Sequence, residues 1–236
     1  MQNMLMRSWA VALVLSLCSA IGTAHAADNL APGFSTRATN SKLLLVPVDM
    51  ELFSISGGGV QEPRADWTEA AGKHFNAALD ARKPLLGTNL VTITEQDVDA
   101  EALGDINALH GAVAGAVFLH HRMGALKLPT KNGQLDWSMG EAVQALRAKT
   151  GADYALFTWI RDSYASAERK AAMVVMAILG VGLPGGAQIG YASLVDLNTG
   201  RVVWFNDLRR ASGDLREEKA AAETLETLLQ GFPALQ

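Results

Sequence analysis

Residues 152–160 read ADYALFTWI, and this stretch decides the fold. In an extended chain Leu156 and Ile160 fall on one side, while Phe157 and Trp159 fall on the other. A strand that is apolar on both sides pairs in the middle of a sheet and is covered there. The sequence therefore predicts that this stretch is the central strand of a β-sheet.

The other elements are placed outward from this strand. Further strands are expected at 42–53, interrupted by Pro47, and at 89–94, 187–197 and 201–208. Four helices are expected, beginning at Asp66-x-x-Glu69, Thr94-x-x-Asp97, Ser138-x-x-Glu141 and Asp214-x-x-Glu217. Pro84 is expected to end the first helix and Gly151 the third, and Gly104 is expected to interrupt the second. This order predicts an α+β domain over residues 41–236, with a mixed sheet of about five strands, a late antiparallel hairpin and helices mainly on one face.

The amino-terminal residues carry the three parts of an export signal. Arg7 supplies a positive charge, residues 9–17 are apolar apart from Ser16, and Ala24-His25-Ala26 is a small-x-small cleavage site. The apolar core is shorter than the roughly 20 residues that a spanning helix needs. We expect residues 1–26 to be a cleaved signal peptide, residues 27–40 to be a flexible lead-in, and the mature chain to be periplasmic without a transmembrane helix.

Cys18 raises the alternative of a lipid-anchored protein. Leu17 precedes it, whereas lipoprotein processing requires a small residue there, so cleavage without lipid is favoured. Cys18 is the only cysteine, and its removal leaves a mature chain without disulfides, cysteine-ligated zinc or thiol catalysis. The mild net charge of −4 has no basic cluster, which argues against a nucleic-acid partner.

No motif for catalysis, a cofactor or a metal is present in the sequence. His110 and His120 are ten residues apart, which does not place them on one helix face, and His121 adds no acidic ligand. The glycines at 57–59 lack the companions of a phosphate-binding loop, and no Gly-x-Ser-x-Gly elbow occurs. The sequence predicts a protein that is not an enzyme.

Polar residues follow the central strand directly. Arg161, Asp162, Tyr164 and Arg169 are the candidate contacts for a partner or a ligand, since open sheets often bind ligands beyond the carboxyl end of a strand. Neighbouring Arg161 and Asp162 point to opposite faces of an extended chain, which disfavours a catalytic pair.

Residues 171–183 (AAMVVMAILGVGL) form an apolar run too short to span a membrane. They do not alternate as a pore-lining strand would. Burial in the core is favoured, because no face carries a charge. A surface that awaits a partner and a peripheral membrane contact stay open as alternatives.

The hairpin segment 195–204 has the pattern V-D-x-x-T-G-x-V-x-W, with Asp196 and Gly200 suited to a tight turn. This pattern resembles the corresponding hairpin of the curli secretion channel family, and the order of elements is similar to that of the amino-terminal domain of TolB-like envelope proteins. The resemblance implies an α/β arrangement and an envelope setting. Lipidation and alternating pore strands, which the channel family has, are not matched here.

Together these observations predict a non-enzymatic periplasmic or outer-membrane-associated protein that contacts another envelope component, in an assembly or secretion role. The alternative is a small-ligand binder or enzyme that uses the polar residues from Arg161 to Arg169. A concave pocket lined by these residues would favour the alternative.

Overall fold

The computed structural model describes residues 29–93 and 99–236. The predicted signal peptide, Cys18 and the Thr94-x-x-Asp97 helix start lie outside the described residues. Seven strands are described: β1 Leu43–Leu45, β2 Asp49–Ile55, β3 Gln61–Pro63, β4 Leu90–Thr92, β5 Tyr154–Ala165, β6 Gln188–Asp196 and β7 Val202–Arg210. The described α-helices are α1 Ala65–Leu86, α2 Ala100–Val117, α3 Gln144–Thr150, α4 Ala167–Ile178 and α5 Glu218–Leu228. Short π and 3-10 turns occupy Phe118–Arg122, Pro129–Lys131 and Gly140–Val143.

The seven strands form one mixed sheet around β5, which confirms the α+β class and the central position of this strand. On one side β5 pairs antiparallel with β6, and β6 pairs antiparallel with β7. On the other side β1 lies parallel to the first part of β5 and β2 lies parallel to its last part. The single strand expected at 42–53 is divided near Pro47 into β1 and β2. Strand β3 was not expected. For these two reasons the sheet has seven strands, whereas about five were predicted.

The sheet carries a hydrophobic core on each face. Leu156 and Ile160 pack with Phe75 of α1 and Leu225 of α5 on one face. On the other face, Phe157 and Trp159 lie in the core that residues of α2 and α3 complete. The prediction that helices cover mainly one face is therefore wrong, because β5 is apolar on both faces and each face needs a cover.

Several helix boundaries differ from the sequence prediction. α3 begins at Gln144, after the 3-10 turn Gly140–Val143, and α5 begins at Glu218 without a side-chain cap. Arg64 immediately precedes α1, and its side chain binds the carboxylate of Asp66. No side chain caps the start of α1, as a capping box would require. Pro84 lies inside the last turn rather than ending the helix. Gly104 does not interrupt α2, since one glycine costs a helix only about 1 kcal/mol.

Helix α2 and the π turn after it resemble a membrane-spanning helix in length and composition. By length and composition alone, Ala100–Arg122 is long and apolar enough to cross a membrane. Its residues Leu103, Ile106, Ala114 and Val117 are nevertheless buried against the sheet. In this fold one face of α2 packs against the sheet.

The β6–β7 hairpin has the turn that the sequence predicts. The Asp196 side chain accepts a hydrogen bond from the amide of Asn198 at 2.8 Å, and Gly200 has φ = 72°. A Cβ at Gly200 would lie 2.1 Å from the carbonyl oxygen of Gly140, so glycine is required there for space as well as for conformation.

The described part of the predicted lead-in packs against the domain. The amide of Ala31 donates to the carbonyl of Val203, and the amide of Arg37 donates to that of Ala234. The buried Arg37 side chain also donates to the Leu86 carbonyl at 2.6 Å. These bonds join the start of the described chain to β7, to the end of α1 and to the carboxyl end.

Candidate interaction surface at the end of β5

The polar residues singled out from the sequence lie within β5 and at the start of α4. β5 continues through Ala165, so Arg161, Asp162 and Tyr164 belong to the strand and do not follow its end. The strand extends this far because β2 pairs with it up to Ile55–Ala165. Alternation then sends Arg161 to one face of the sheet and Asp162 and Tyr164 to the other, as the sequence predicts.

Arg161 is held in place by two acidic residues of β2. Its guanidinium lies 2.8 Å from a carboxylate oxygen of Asp49 and 3.5 Å from one of Glu51. It also stacks over the ring of Trp159, with 4.4 Å from the guanidinium carbon to the ring centre. Arg161 is half-buried, and its charge is balanced by these two carboxylates.

Asp162 lies in a buried polar network on the opposite face. One carboxylate oxygen accepts hydrogen bonds from the hydroxyl of Tyr164 at 2.6 Å and the amide of Gln188 at 2.5 Å, and the other accepts from the Ser163 amide. Burial raises the pKa of Asp162 to about 6, and nearby Asp214 adds to the rise while the three hydrogen bonds oppose it. Burial is the largest cause that raises the pKa of Tyr164, and the hydrogen bond to Asp162 raises it further. Tyr164 therefore remains a protonated hydroxyl.

This network joins the sheet to the last helix. Arg210 of β7 donates to Gln188 at 2.7 Å, and it also donates to Thr224 and to the Ala220 carbonyl on α5. The Tyr164 hydroxyl accepts from the Leu215 amide at 2.7 Å, which fixes the loop before α5. Through these contacts, Asp162 and Tyr164 help to hold α5 against the sheet.

Arg169 is also buried, with 8% of its surface exposed. Its guanidinium donates to the Pro184 carbonyl at 3.3 Å, and its backbone amide donates to the Ser166 side chain that caps α4. Neither Asp162, which is 2% exposed, nor Arg169 is presented at the surface. The structure does not bring the four residues together around one cavity.

The apolar run 171–183 occupies α4 and the turn after it, and most of its residues are exposed, while Ala172, Met173, Met176 and Leu183 are partly buried. Ile178 is 80% exposed and Leu179 70%, and Val174, Val175 and Val181 are also exposed. The prediction that this run is buried is therefore wrong. Without amphipathic periodicity, the sequence of the run gives no sign of whether it faces a core or solvent.

α4 and the return segment 179–187 form a protrusion, which we call the α4 protrusion, with a fixed base. The amide of Ala165 donates to the Gly185 carbonyl at 2.8 Å, and the amide of Ala187 donates to the Ser163 hydroxyl at 3.0 Å. Gly186 approaches the sheet so closely that a Cβ there would lie 2.0 Å from the Ser163 carbonyl oxygen. The protrusion is thus tied to β5 at both of its ends.

Of the three histidines considered as metal ligands in the sequence analysis, His110 lies in a different environment from His120 and His121. His110 is buried, its Nε2 lies 2.9 Å from the Ser193 hydroxyl, and burial lowers its pKa to about 3, so it is neutral. His120 and His121 line a small cavity of about 230 Å³ with Trp137. In residues 29–93 and 99–236, no group of three metal-ligating side chains converges.

A larger cavity of about 550 Å³ lies away from β5. It is bounded by the end of α1 and the residues after α5, and Arg82 and Glu226 on its walls form an ion pair at 3.1 Å. The residues that line it come from two segments, 82–86 and 226–234, which are 140 positions apart in sequence, so no local pattern indicated it. It does not include any of the four predicted contact residues.

Comparison with known proteins gives only weak structural similarity. No family model matches the chain, and no curated protein matches it. Among solved structures, the PelC dodecamer from Paraburkholderia phytofirmans is 14% identical with a TM-score of 0.38, covering 88% of this chain and 95% of that chain.

Two further solved structures are similar. Lipoprotein GNA1162 from Neisseria meningitidis is 12% identical with a TM-score of 0.31, covering 80% of this chain and 94% of that one. The LpoB C-terminal domain from Salmonella enterica is 12% identical with a TM-score of 0.29, covering 76% of this chain and 87% of that one. At these values the similarity carries no functional information, and the resemblance to the curli secretion channel family stays an expectation.

Proposed function

We propose that this protein is a non-enzymatic protein of the bacterial envelope, periplasmic or associated with the outer membrane, and that it contacts another envelope component through the α4 protrusion. The envelope setting is supported by the export signal pattern in residues 1–26. The contact is supported by one observation, namely the exposed apolar side chains of α4.

The exposure of α4 is unusual for a free surface. Single exposed apolar residues need no explanation, whereas a contiguous apolar patch marks an interaction site. Val174, Val175, Ile178 and Leu179 are each more than half exposed on one short helix. Leaving these side chains in water is unfavourable, at about 1.5–3 kcal/mol for each one relative to full burial.

The polar residues from Arg161 to Arg169 have a different role in this proposal. Arg169 holds the protrusion, the Asp162 network holds α5 to the sheet, and Arg161 joins β5 to β2 within the sheet. Because these side chains bind one another and the backbone, they support the contact surface without forming it. A ligand site on them would require the Asp162 network to open.

The test compares two charge substitutions in cells. Val175→Asp places a carboxylate on the exposed protrusion, and Leu85→Asp places one on an exposed position at the end of α1. Both variants should keep the free energy of unfolding within about 0.5 kcal/mol of the wild-type value, as exposed substitutions usually do. Only Val175→Asp should abolish co-fractionation with the membranes or complexes of the envelope.

Two results would contradict the proposal. If Val175→Asp protein co-fractionated as the wild type does, the protrusion would not be the contact. If Val175→Asp unfolded the domain, Val175 would be a core residue, contrary to its exposure.

A further inference from the structure

We infer that the component bound by the α4 protrusion is a lipid bilayer, with the tip of the protrusion inserted among the acyl chains of one leaflet. This inference rests on the proposed function and deepens it, since it names the chemistry of the partner. Four observations on the protrusion carry it.

The first observation is the width of the exposed surface. Exposed residues occur at Ala171, Val174, Val175, Ala177, Ile178 and Leu179. At 3.6 residues per turn these positions cover an arc of about 200° around the helix. A helix that docks on a protein usually presents a narrower stripe, somewhat over 100° wide, whereas acyl chains surround an inserted helix on every free side.

The second observation is the absence of charge. No charged residue or histidine occurs from position 171 to position 187, a stretch of seventeen residues. A helix that lies flat in the interface of a membrane keeps a strongly charged face toward water. α4 has no such face beyond Lys170, which fits a helix whose tip enters the apolar layer.

The third observation concerns the backbone at the tip. An unpaired amide is costly in hydrocarbon. The amides of Leu179 and Val181 donate to the Met176 carbonyl, at 3.0 and 2.9 Å, and the amide of Gly180 donates to the Ala177 carbonyl at 3.0 Å. Gly180 has φ = 78°, and this glycine-terminated cap satisfies the amides of Leu179, Gly180 and Val181 at the end of α4.

The fourth observation is the size and the base of the protrusion. The twelve residues of α4 give a helix of about 18 Å, which is shorter than the ~30 Å hydrocarbon core, so it cannot span the bilayer. At the base the exposed side chains of Glu168 and Lys170 have opposite charges. Binding should therefore depend on apolar contact and little on the charge of the lipids.

The experiment measures flotation with phosphatidylcholine vesicles, with and without added phosphatidylglycerol. Protein is expressed from the full chain and purified in the form that the host produces, so that all variants have the same ends. The variants are Ile178→Asp and Ile178→Ser at the tip, and Leu85→Asp as the matched control. Leu85 is 71% exposed and lies in the last turn of α1, on the wall of the cavity of about 550 Å³, whereas the protrusion follows the carboxyl end of β5.

Wild-type protein and Leu85→Asp should float equally with both kinds of vesicle, and a rise in salt from 0.1 to 0.5 M, about a halving of the Debye length, should change little. Ile178→Asp should reduce the partition coefficient by a factor of about 100 and Ile178→Ser by about 10, following the cost of such residues in hydrocarbon. Equal thermal unfolding of all four proteins would show that the loss is not a folding defect.

Failure of wild-type protein to float, or equal flotation of Ile178→Asp, would overturn the lipid inference. Light scattering identifies one alternative: a wild-type oligomer that becomes monomeric in Ile178→Asp, without vesicle binding in either, would mean that a second copy covers the protrusion. The proposed function has a separate outcome. If Val175→Asp still loses envelope co-fractionation when no vesicle binding occurs, the contact is with an envelope protein, and if neither effect occurs, both proposals fail.

Discussion

Replacing Asp162 by asparagine tests the buried polar network that joins β5 to α5. The carboxylate accepts hydrogen bonds from Tyr164, Gln188 and the Ser163 amide, yet burial raises its pKa to about 6. The ordinary value of an aspartate is 3.8. The folded protein therefore binds a proton at Asp162 at a higher pH than the unfolded chain does.

The sign and size of the effect follow from this difference. Between pH 6 and pH 4 the folded state holds more protons at Asp162, so the free energy of unfolding rises as the pH falls. One pKa unit corresponds to about 1.4 kcal/mol, and the full change is thus about 3 kcal/mol at most. Above pH 6 both states are ionised, and the contribution of Asp162 stays at its low value.

Urea unfolding of wild-type protein and Asp162→Asn, at intervals from pH 4 to pH 7.5, measures this contribution. Other titrating groups affect both proteins equally, so the stability of Asp162→Asn relative to wild type should increase by about 2–3 kcal/mol from pH 4 to pH 7. The lost carboxylate acceptor for Gln188 lowers the stability of the variant by an amount that does not depend on pH. A difference that stays constant across this range would refute the burial of an ionisable Asp162.

Three further results are expected. Phe157→Ala should lower the free energy of unfolding by about 3–5 kcal/mol, because the ring is 1% exposed, and a loss below about 1 kcal/mol would contradict the central place of β5. Gly200→Ala should destabilise the protein by at least about 1 kcal/mol more than Gly33→Ala in urea unfolding, since both have positive φ but only Gly200 faces a carbonyl oxygen at 2.1 Å from an added Cβ. Equal losses would mean that the hairpin turn moves freely. Mass spectrometry of protein from the periplasm should show a chain that begins at Ala27 without lipid, and an acylated chain beginning at Cys18 would instead establish a lipoprotein.

The sequence allowed the centre of the fold to be predicted because the signals there are local. Residues 154–160 are apolar on both faces, and this pattern placed β5 in the middle of the sheet. Asp196 and Gly200 specified the turn of the β6–β7 hairpin. The side on which each helix packs was not predictable, because it depends on contacts between elements far apart in sequence.

The surroundings of the polar residues were harder to predict for the same reason. Alternation along β5 correctly separated Arg161 from Asp162. Their partners come from other strands, however: Asp49 in β2, and Gln188 in β6. A polar residue after an apolar run indicates the end of a strand when it is solvated, but here the partners on β2 and β6 let β5 continue to Ala165.

The double attachment of the α4 protrusion has a mechanical consequence. β5 enters the protrusion and β6 leaves it, and the two strands pair with each other over nine positions from Tyr154–Asp196 to Asp162–Gln188. A pull on the protrusion along β5 therefore moves β5 and β6 together. Because hydrogen bonds between strands lie perpendicular to the strand direction, such a pull loads in shear the bonds that join this pair to β1, β2 and β7. Tension applied at the tip would then be carried into the rest of the sheet and shared by these three strands.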